Sequence, residues 1–99
     1  MLPYQMTAVL RETAGGSIFV SIPYHWELDT SIQYKIVLTN RETRKQLVFC
    51  KSPASRGSNL VFYAPKKLVQ AMFDVGKLVN VSVEPLEEGE RCPDRVRAR

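Results

Sequence analysis

The sequence has few of the side chains that carry metal-binding or acid–base chemistry, with one histidine and two cysteines in 99 residues. No second cysteine pair lies near the first, so no zinc pattern is present. His25 stands beside Trp26 and Glu27, but no serine or cysteine nucleophile accompanies it in a known catalytic motif. Neither a P-loop nor a Rossmann fingerprint occurs. We therefore expect a protein that is not an enzyme and that binds no metal or cofactor.

A membrane-spanning segment is also missing from the sequence. The longest apolar runs, such as residues 36–38 and 60–64, are far shorter than the roughly 20 residues that cross a bilayer. Residues 1–6 lack the basic and apolar segments of a secretory signal. We therefore expect a cytoplasmic protein with no membrane partner.

Cys50 and Cys92 leave two interpretations open. Two reduced thiols are the ordinary state in the cytosol, with Cys50 in a strand. A disulfide that ties the C-terminal tail to the rest of the chain is the alternative. Such a bond is unusual in the cytosol of a mesophile but not in that of a hyperthermophile.

The positive charge is concentrated in one segment. The net charge is +4, and residues 41–67 contain seven lysines and arginines against Glu42 alone, a local excess of +6. The seven cations are Arg41, Arg44, Lys45, Lys51, Arg56, Lys66 and Lys67. Such a cluster attracts phosphate backbones. A solvated basic surface that keeps the protein soluble is the alternative interpretation.

Short runs of β-branched and aromatic residues favour strands, and Pro23 and Pro65 mark strand ends because proline donates no hydrogen bond to a ladder. The alternation of apolar and polar residues predicts strands at residues 6–13, 18–22, 32–39, 45–51, 59–64 and 77–84. Helical spacing predicts a short helical turn at 24–28 and a helix at 66–73, with a loop at 52–58. The polar tail, residues 87–99, is expected to be loosely ordered.

The pattern of these elements occurs twice. Residues 15–23 match residues 57–65 position by position at an offset of 42, from a glycine to a proline. Residues 28–36 match residues 73–81 at an offset of 45, so the first copy lacks three residues in its helix. An internal repeat of this length indicates two copies of one supersecondary unit.

Each copy reads β-β-α-β, with copy one at residues 6–40 and copy two at 44–86. A unit of about 40 residues is too small to bury its own apolar faces. Two units that interleave can close one barrel and remove exposed strand edges. We therefore predict a mainly β domain over residues 1–86 with pseudo-twofold symmetry, and with Trp26, Met72 and Phe73 in its core.

Copy two contains a glycine turn, a strand, a proline and a helix over residues 57–68, followed by a valine-alternating strand with Gly76 over 74–81. This pattern resembles the DNA-binding domains of the AbrB, MazE and SpoVT family. Copy one carries it at residues 15–23, with Ser31 in place of the later glycine. The resemblance implies a swapped-hairpin, or cradle-loop, barrel. Two chains normally form that barrel, whereas this chain contains both halves.

The resemblance also implies that the first strand and the turn of each copy face DNA. The corresponding residues are Arg11, Gly15, Gly16 and Ser17 in copy one, and Lys51, Arg56, Gly57, Ser58 and Asn59 in copy two. The junction residues Arg41, Arg44 and Lys45 extend this surface. Cations neutralise phosphates, and serine, asparagine and glycine N–H groups bond phosphates or base edges. Copy one is poor in cations, which predicts an interface whose positive charge lies mostly on copy two.

Three functions are consistent with these features. The first is a transcription regulator or chromatin-associated protein that binds double-stranded DNA. The second is an antitoxin that binds its own promoter and a toxin, which would contact the tail. The third is a double-psi-like barrel that serves as a protein-interaction module. The sequence leaves open whether two single-chain barrels pair into a homodimer. The salt dependence of binding separates the DNA-binding functions from the protein-interaction module, because binding to phosphates weakens steeply with salt and binding to an apolar partner does not.

Overall fold

Alternation of apolar and polar residues builds the strands, as in β2 (Ile18–Pro23), where Ile18, Val20 and Ile22 are buried and the residues between them are half-buried. The computed structural model describes residues 4–25, 27–86, 89–92 and 95–97. The other strands are β1 (Tyr4–Glu12), β3 (Tyr34–Thr39), β4 (Gln46–Lys51), β5 (Ala54–Arg56), β6 (Asn59–Ala64), β7 (Leu78–Pro85) and β8 (Arg95–Arg97). The prediction of a mainly β chain is confirmed.

All neighbouring strands are antiparallel, and they form one sheet in the order β5-β6-β2-β1-β7-β3-β4-β8. The sheet curls into a half-barrel. Its only helix within the described residues is α1 (Lys66–Met72). This helix is too short to cross a membrane, and the described chain has no other.

Strands from the first part of the chain (β1 to β3) and from the second part (β4 to β7) are interleaved in the sheet. β2 pairs with β6, with Val20 opposite Phe62 at the middle of the ladder. β7 lies between β1 and β3, with Val81 opposite both Met6 and Leu38. The continuous sheet therefore requires strands from both parts of the chain.

The core lies on the inner face of the curled sheet. Leu10, Val20 and Phe62 are consecutive partners across β1, β2 and β6, and none of them is exposed to solvent. α1 contributes the buried Val69, and Phe73 at its end is also buried. Of the other two residues expected in the core, Met72 is partly buried against it, and Trp26 lies outside the described residues.

Residues 24, 25, 27 and 28, where the sequence predicts a short helical turn, are not assigned to a helix. The segment between β2 and β3 instead has isolated turns, closed by Leu28 N–H to the His25 carbonyl and by Ile32 N–H to the Asp29 carbonyl. The Asp29 carboxylate accepts hydrogen bonds from both the backbone N–H and the hydroxyl of Ser31. Such local side-chain bonds compete with helix formation.

Residues 52–58 contain a strand where the sequence predicts only a loop. β5 pairs with β6 in a tight hairpin, with Arg56 opposite Asn59. Gly57 has a φ of 61°, which allows the chain to reverse within two residues.

The starts of two strands differ from the prediction by two residues each. β1 begins at Tyr4 and not at residue 6, since its pairing with β7 continues to Tyr4 opposite Val83. β3 begins at Tyr34, and Ile32, expected to alternate with the buried residues, is 45% exposed in the preceding turn. In both cases the pairing partner decides where the strand starts.

The expectation of a loosely ordered tail is wrong for the part that the structure describes. Cys50 of β4 and Cys92 form a disulfide, with their Cα atoms 5.6 Å apart. Lys35 of β3 binds Glu90 at 3.1 Å and Glu84 at 2.9 Å. β8 then pairs with β4 at the edge of the sheet. Of the two interpretations of the cysteines, the disulfide is the one observed.

We predict that removing the disulfide destabilises the fold without abolishing it. The bond closes a segment of 42 residues, and loops of this size typically contribute about 2–4 kcal/mol to the free energy of unfolding. Urea unfolding of Cys92→Ser should therefore show a lower midpoint than the oxidised wild type. The reduced wild type and the Cys50→Ser/Cys92→Ser variant serve as controls and should match Cys92→Ser. Equal midpoints for the oxidised protein and the variant would contradict the bond.

Candidate nucleic-acid interface

The turn between β1 and β2, residues 13–17, is held by three hydrogen bonds. Thr13 N–H donates to the Ser17 carbonyl at 2.8 Å, and Gly16 N–H donates to the Thr13 carbonyl at 2.9 Å. Ser17 N–H donates to the Thr13 hydroxyl oxygen at 3.0 Å. Gly16 has a φ of 92°, a conformation that residues with a side chain rarely adopt.

Lys66, the first residue of α1, lies against this turn. Its Nζ atom is 2.9 Å from the position that a Cβ on residue 16 would occupy, and the nearest Glu12 carboxylate oxygen is 3.8 Å from the same point. The cation-poor turn of the first copy therefore has a cation beside it that comes from the second copy. The sequence places Lys66 in the basic segment but not at this turn, because only the pairing of Ile18 with Ala64 brings residue 66 here.

The turn between β5 and β6 lies at the opposite end of the β2–β6 ladder. Ile18 pairs with Ala64 at one end and Pro23 with Asn59 at the other, five residues or about 17 Å away. The Ser58 carbonyl accepts a hydrogen bond from Tyr24 N–H at 3.0 Å, which fixes this turn to the end of β2. The two glycine-containing turns of the predicted interface therefore do not lie side by side.

The turn between β3 and β4, residues 40–45, carries the cations of the junction. The Asn40 side-chain oxygen accepts hydrogen bonds from the N–H groups of Glu42 and Thr43, and Arg44 has a φ of 68°. The Asn40 amide nitrogen donates to the Met72 carbonyl at 2.7 Å and so fastens the turn to the end of α1. Since the seven residues of α1 span about 10 Å, the helix connects this turn to the glycine turn at Lys66.

Most of the cations in these segments have no carboxylate partner. Among the residues that the structure describes, the ion pairs are those of Lys35 with Glu84 and Glu90, and of Lys77 with Asp74. The exposed cations without an ion pair in this part of the chain include Arg11, Arg41, Arg44, Lys45, Lys51, Arg56, Lys66 and Lys67. Their positive charge is therefore available to an external anion.

A polar cluster that the sequence analysis did not foresee lies at the start of β1. The Tyr4 hydroxyl donates to the Glu27 carboxylate, and His25 Nδ1 is 2.7 Å from the same hydroxyl oxygen. Glu27 N–H donates to His25 Nδ1 at 3.1 Å. Burial, together with the hydrogen bond to Glu27, raises the pKa of Tyr4 to about 12. The cluster ties β1 to the segment after β2, and the early start of β1 is what brings Tyr4 into it.

One cavity is lined by none of these cations. It has a volume of about 590 Å³ and lies on the outer face of β1, β7, β3 and β4. Amide and hydroxyl side chains such as Gln5, Thr7, Asn80 and Ser82 line it. None of the predicted DNA-contact residues does. Among the described residues no group of three or more histidine, cysteine or acidic side chains is placed to hold a metal ion.

Comparison of the chain with protein-family models, with curated proteins and with solved structures finds no significant match. The resemblance to the AbrB, MazE and SpoVT family therefore stays a prediction based on the motifs of the two copies.

Gly16→Ala should lower the free energy of unfolding by about 1–2 kcal/mol, because alanine is strained at a positive φ. The neighbouring Gly15→Ala is the matched control. Gly15 has no positive φ, and a Cβ there would meet only the Thr13 hydroxyl oxygen, at 3.9 Å. Its effect should stay within about 0.5 kcal/mol. Thermal or urea unfolding measures both, and equal effects would contradict the turn geometry.

The pKa of Tyr4 predicts an alkaline transition. Because the value in the folded protein lies above the ordinary 10, the cluster contributes stability that is fully present below pH 10 and is lost as the pH rises towards 12. Absorbance at 295 nm should show a tyrosine titrating near pH 12 that disappears in Tyr4→Phe. Glu27→Gln should move this titration to lower pH. An unchanged titration in both variants would show that Tyr4 does not make the contact.

Proposed function

We propose that this chain is a nucleic-acid-binding protein that contacts duplex DNA through its exposed cations, as a transcription regulator or chromatin-associated protein does. The observation that carries the proposal is the set of eight exposed cations in β1 and residues 41–67 that have no carboxylate partner among the described residues. Phosphates are the natural counter-charge for such a set, because binding them releases condensed counterions from DNA. A surface that served only solubility would gain from mixed signs, which the ion pairs of Lys35 have.

The cations divide into two groups. Arg44 and Lys45 lie at the turn fastened to the end of α1, whereas Lys66, beside the glycine turn, and Lys67 lie at the start of α1. Lys51 and Arg56 belong with the group at the start of α1, since Lys51 lines a cavity with Tyr63 and Pro65 and Arg56 donates a hydrogen bond to the Tyr63 hydroxyl. We propose that both groups contact phosphates. The cation-poor turn of the first copy then acts with Lys66 from the second copy.

We also propose that the two copies are interleaved halves of one pseudo-twofold unit. The register supports this arrangement: at an offset of 42, the pair Ile18–Ala64 becomes the pair Leu60–Ile22, and Val20 lies opposite its own counterpart Phe62. A two-chain barrel with swapped hairpins would produce the same exchange of partners. The departure is the helix, which is present only in the second copy of the described chain.

An antitoxin role receives less support from the structure. A segment that wraps a toxin has to leave its own domain, whereas this tail is held by the disulfide, by the ion pair of Lys35 with Glu90, and by the pairing of β8 with β4. A protein-interaction module of the double-psi type gains nothing from cations without partners. Duplex DNA is therefore the partner that the surface favours.

The test is a fluorescence-anisotropy titration of labelled duplex DNA at roughly 50 and 200 mM salt. The wild type should bind more weakly at the higher salt. Lys51→Gln/Arg56→Gln and Lys66→Gln/Lys67→Gln should each reduce the slope of log affinity against log salt by about 2, one for each lost phosphate contact.

Lys77→Gln/Arg91→Gln is the charge-matched control. It removes the same two charges, but Lys77 already pairs with Asp74 and Arg91 lies in the tail. Its slope should change less than that of either test variant. If the wild type does not bind duplex DNA at low salt, the proposal is wrong. If all three double variants behave alike, only the net charge of the protein matters.

A further inference from the structure

Two aromatic rings and a cation form a row on the outer face of the sheet. Arg11 of β1 is opposite Phe19 of β2, and Phe19 is opposite Tyr63 of β6. Register partners project from the same face of a sheet, and the residues that precede or follow these three in their strands fill the core. We call Arg11, Phe19 and Tyr63 the aromatic row.

The rings of the aromatic row touch each other and remain partly open to solvent. The ring centroids of Phe19 and Tyr63 are 5.8 Å apart, and the ring planes are inclined at 53°. Both side chains are half-buried. Cross-strand aromatic pairs stabilise a sheet modestly, which accounts for two neighbouring rings but not for the charges around them.

Cations lie on both sides of the two rings of the aromatic row. Arg56 donates a hydrogen bond to the Tyr63 hydroxyl at 3.4 Å, and Lys51 lines a cavity of about 280 Å³ together with Tyr63 and Pro65. Arg11 lies at the opposite end of the row. None of these three cations has an ion pair within the described chain. The surface therefore combines π faces with positive charge and offers no local counter-ion.

We propose that the aromatic row binds single-stranded nucleic acid by stacking unpaired bases on Phe19 and Tyr63. Every base has a π face, so that stacking on aromatic side chains holds single strands without selecting a sequence. The flanking cations lie where the backbone of a strand that crosses the rings would need neutralisation. An apolar peptide would gain from the rings but not from the three cations.

The row is not suited to a duplex, whose bases are stacked on one another and present only their edges in the grooves. Stacking on protein rings requires bases that are free of that stack. The inference therefore goes beyond the proposed contact with duplex DNA and does not depend on it, because it rests on Phe19 and Tyr63 and not on the cations alone.

The test compares two labelled single strands with equal phosphate charge, an octathymidine and an octamer of abasic sites, by fluorescence anisotropy at one salt concentration. The wild type should bind the octathymidine more tightly. Phe19→Leu and Tyr63→Leu should each weaken binding to the octathymidine by roughly 10-fold and leave binding to the abasic strand unchanged.

Two variants serve as controls. Tyr63→Phe removes the hydroxyl that Arg56 contacts but keeps the ring, and should bind octathymidine like the wild type. Tyr24→Leu removes an aromatic ring that is 56% exposed but lies outside the row, and should bind both strands normally. Thermal unfolding of all four variants checks that each is folded.

Photocrosslinking of the wild type to 5-iodouridine-substituted octamer gives a second readout that needs no variant. Crosslinks at Phe19 or Tyr63 support the inference, and crosslinks confined to other residues overturn it. Equal affinity of the wild type for the octathymidine and the abasic strand, or no binding to either, also overturns it. Salt-sensitive binding to duplex DNA would survive these outcomes, so failure of this inference is distinguishable from failure of the proposed function.

Discussion

The pairing of β2 with β6 joins the two parts of the chain, and the rest of the structure depends on its register. All six residues of each strand take part, from Ile18 opposite Ala64 to Pro23 opposite Asn59. A slip of β6 by one residue against β2 would turn the buried Phe62 outward and would bring Tyr63 into the core. Since a unit of about 40 residues buries too little apolar surface to fold alone, this pairing and the insertion of β7 between β1 and β3 create the core.

The same register distributes the polar groups on the surface. It places the turn of the first copy beside the residue that follows β6 and Pro65, and this is why Lys66 meets Gly16. It also places the β5–β6 turn at the far end of the ladder and aligns the aromatic row across three strands. The two basic regions and the row are therefore consequences of one hydrophobic pairing.

Much of the fold could be predicted from periodicity and from the repeat. Alternation locates the strands around Val20, Leu38 and Val81, and the glycine-to-proline match finds both hairpin turns. The features that sequence reasoning missed depend on non-local contacts. The Asp29 turn before β3 is closed by side-chain bonds to Ser31, and Cys92 is bonded to a cysteine in a strand 42 residues earlier. No local pattern encodes either outcome.

The contact residues were harder to predict than the strands for the same reason. The resemblance assigns each turn its own cations, whereas the cation nearest to Gly16 belongs to the other half of the chain. Likewise Phe19 and Tyr63 are ordinary strand residues in the sequence. They form a surface only when β2 and β6 pair in this register.

The chemistry of the surface arises where the two halves stop being alike. β1 pairs directly with β2, but β4 and β6, their counterparts in the proposed repeat, are not hydrogen-bonded neighbours in the described chain. β5 pairs with the side of β6 that β2 leaves free, and β8 pairs with the side of β4 that β3 leaves free. β4 and β6 therefore cannot pair with each other to close the barrel. Both additions protect edges that would otherwise pair with another chain. Because the opening between β4 and β6 remains, Lys51 and Tyr63 line it together, and Arg56 on β5 reaches the same ring. This opening thus brings the cations Lys51 and Arg56 together with the aromatic ring of Tyr63.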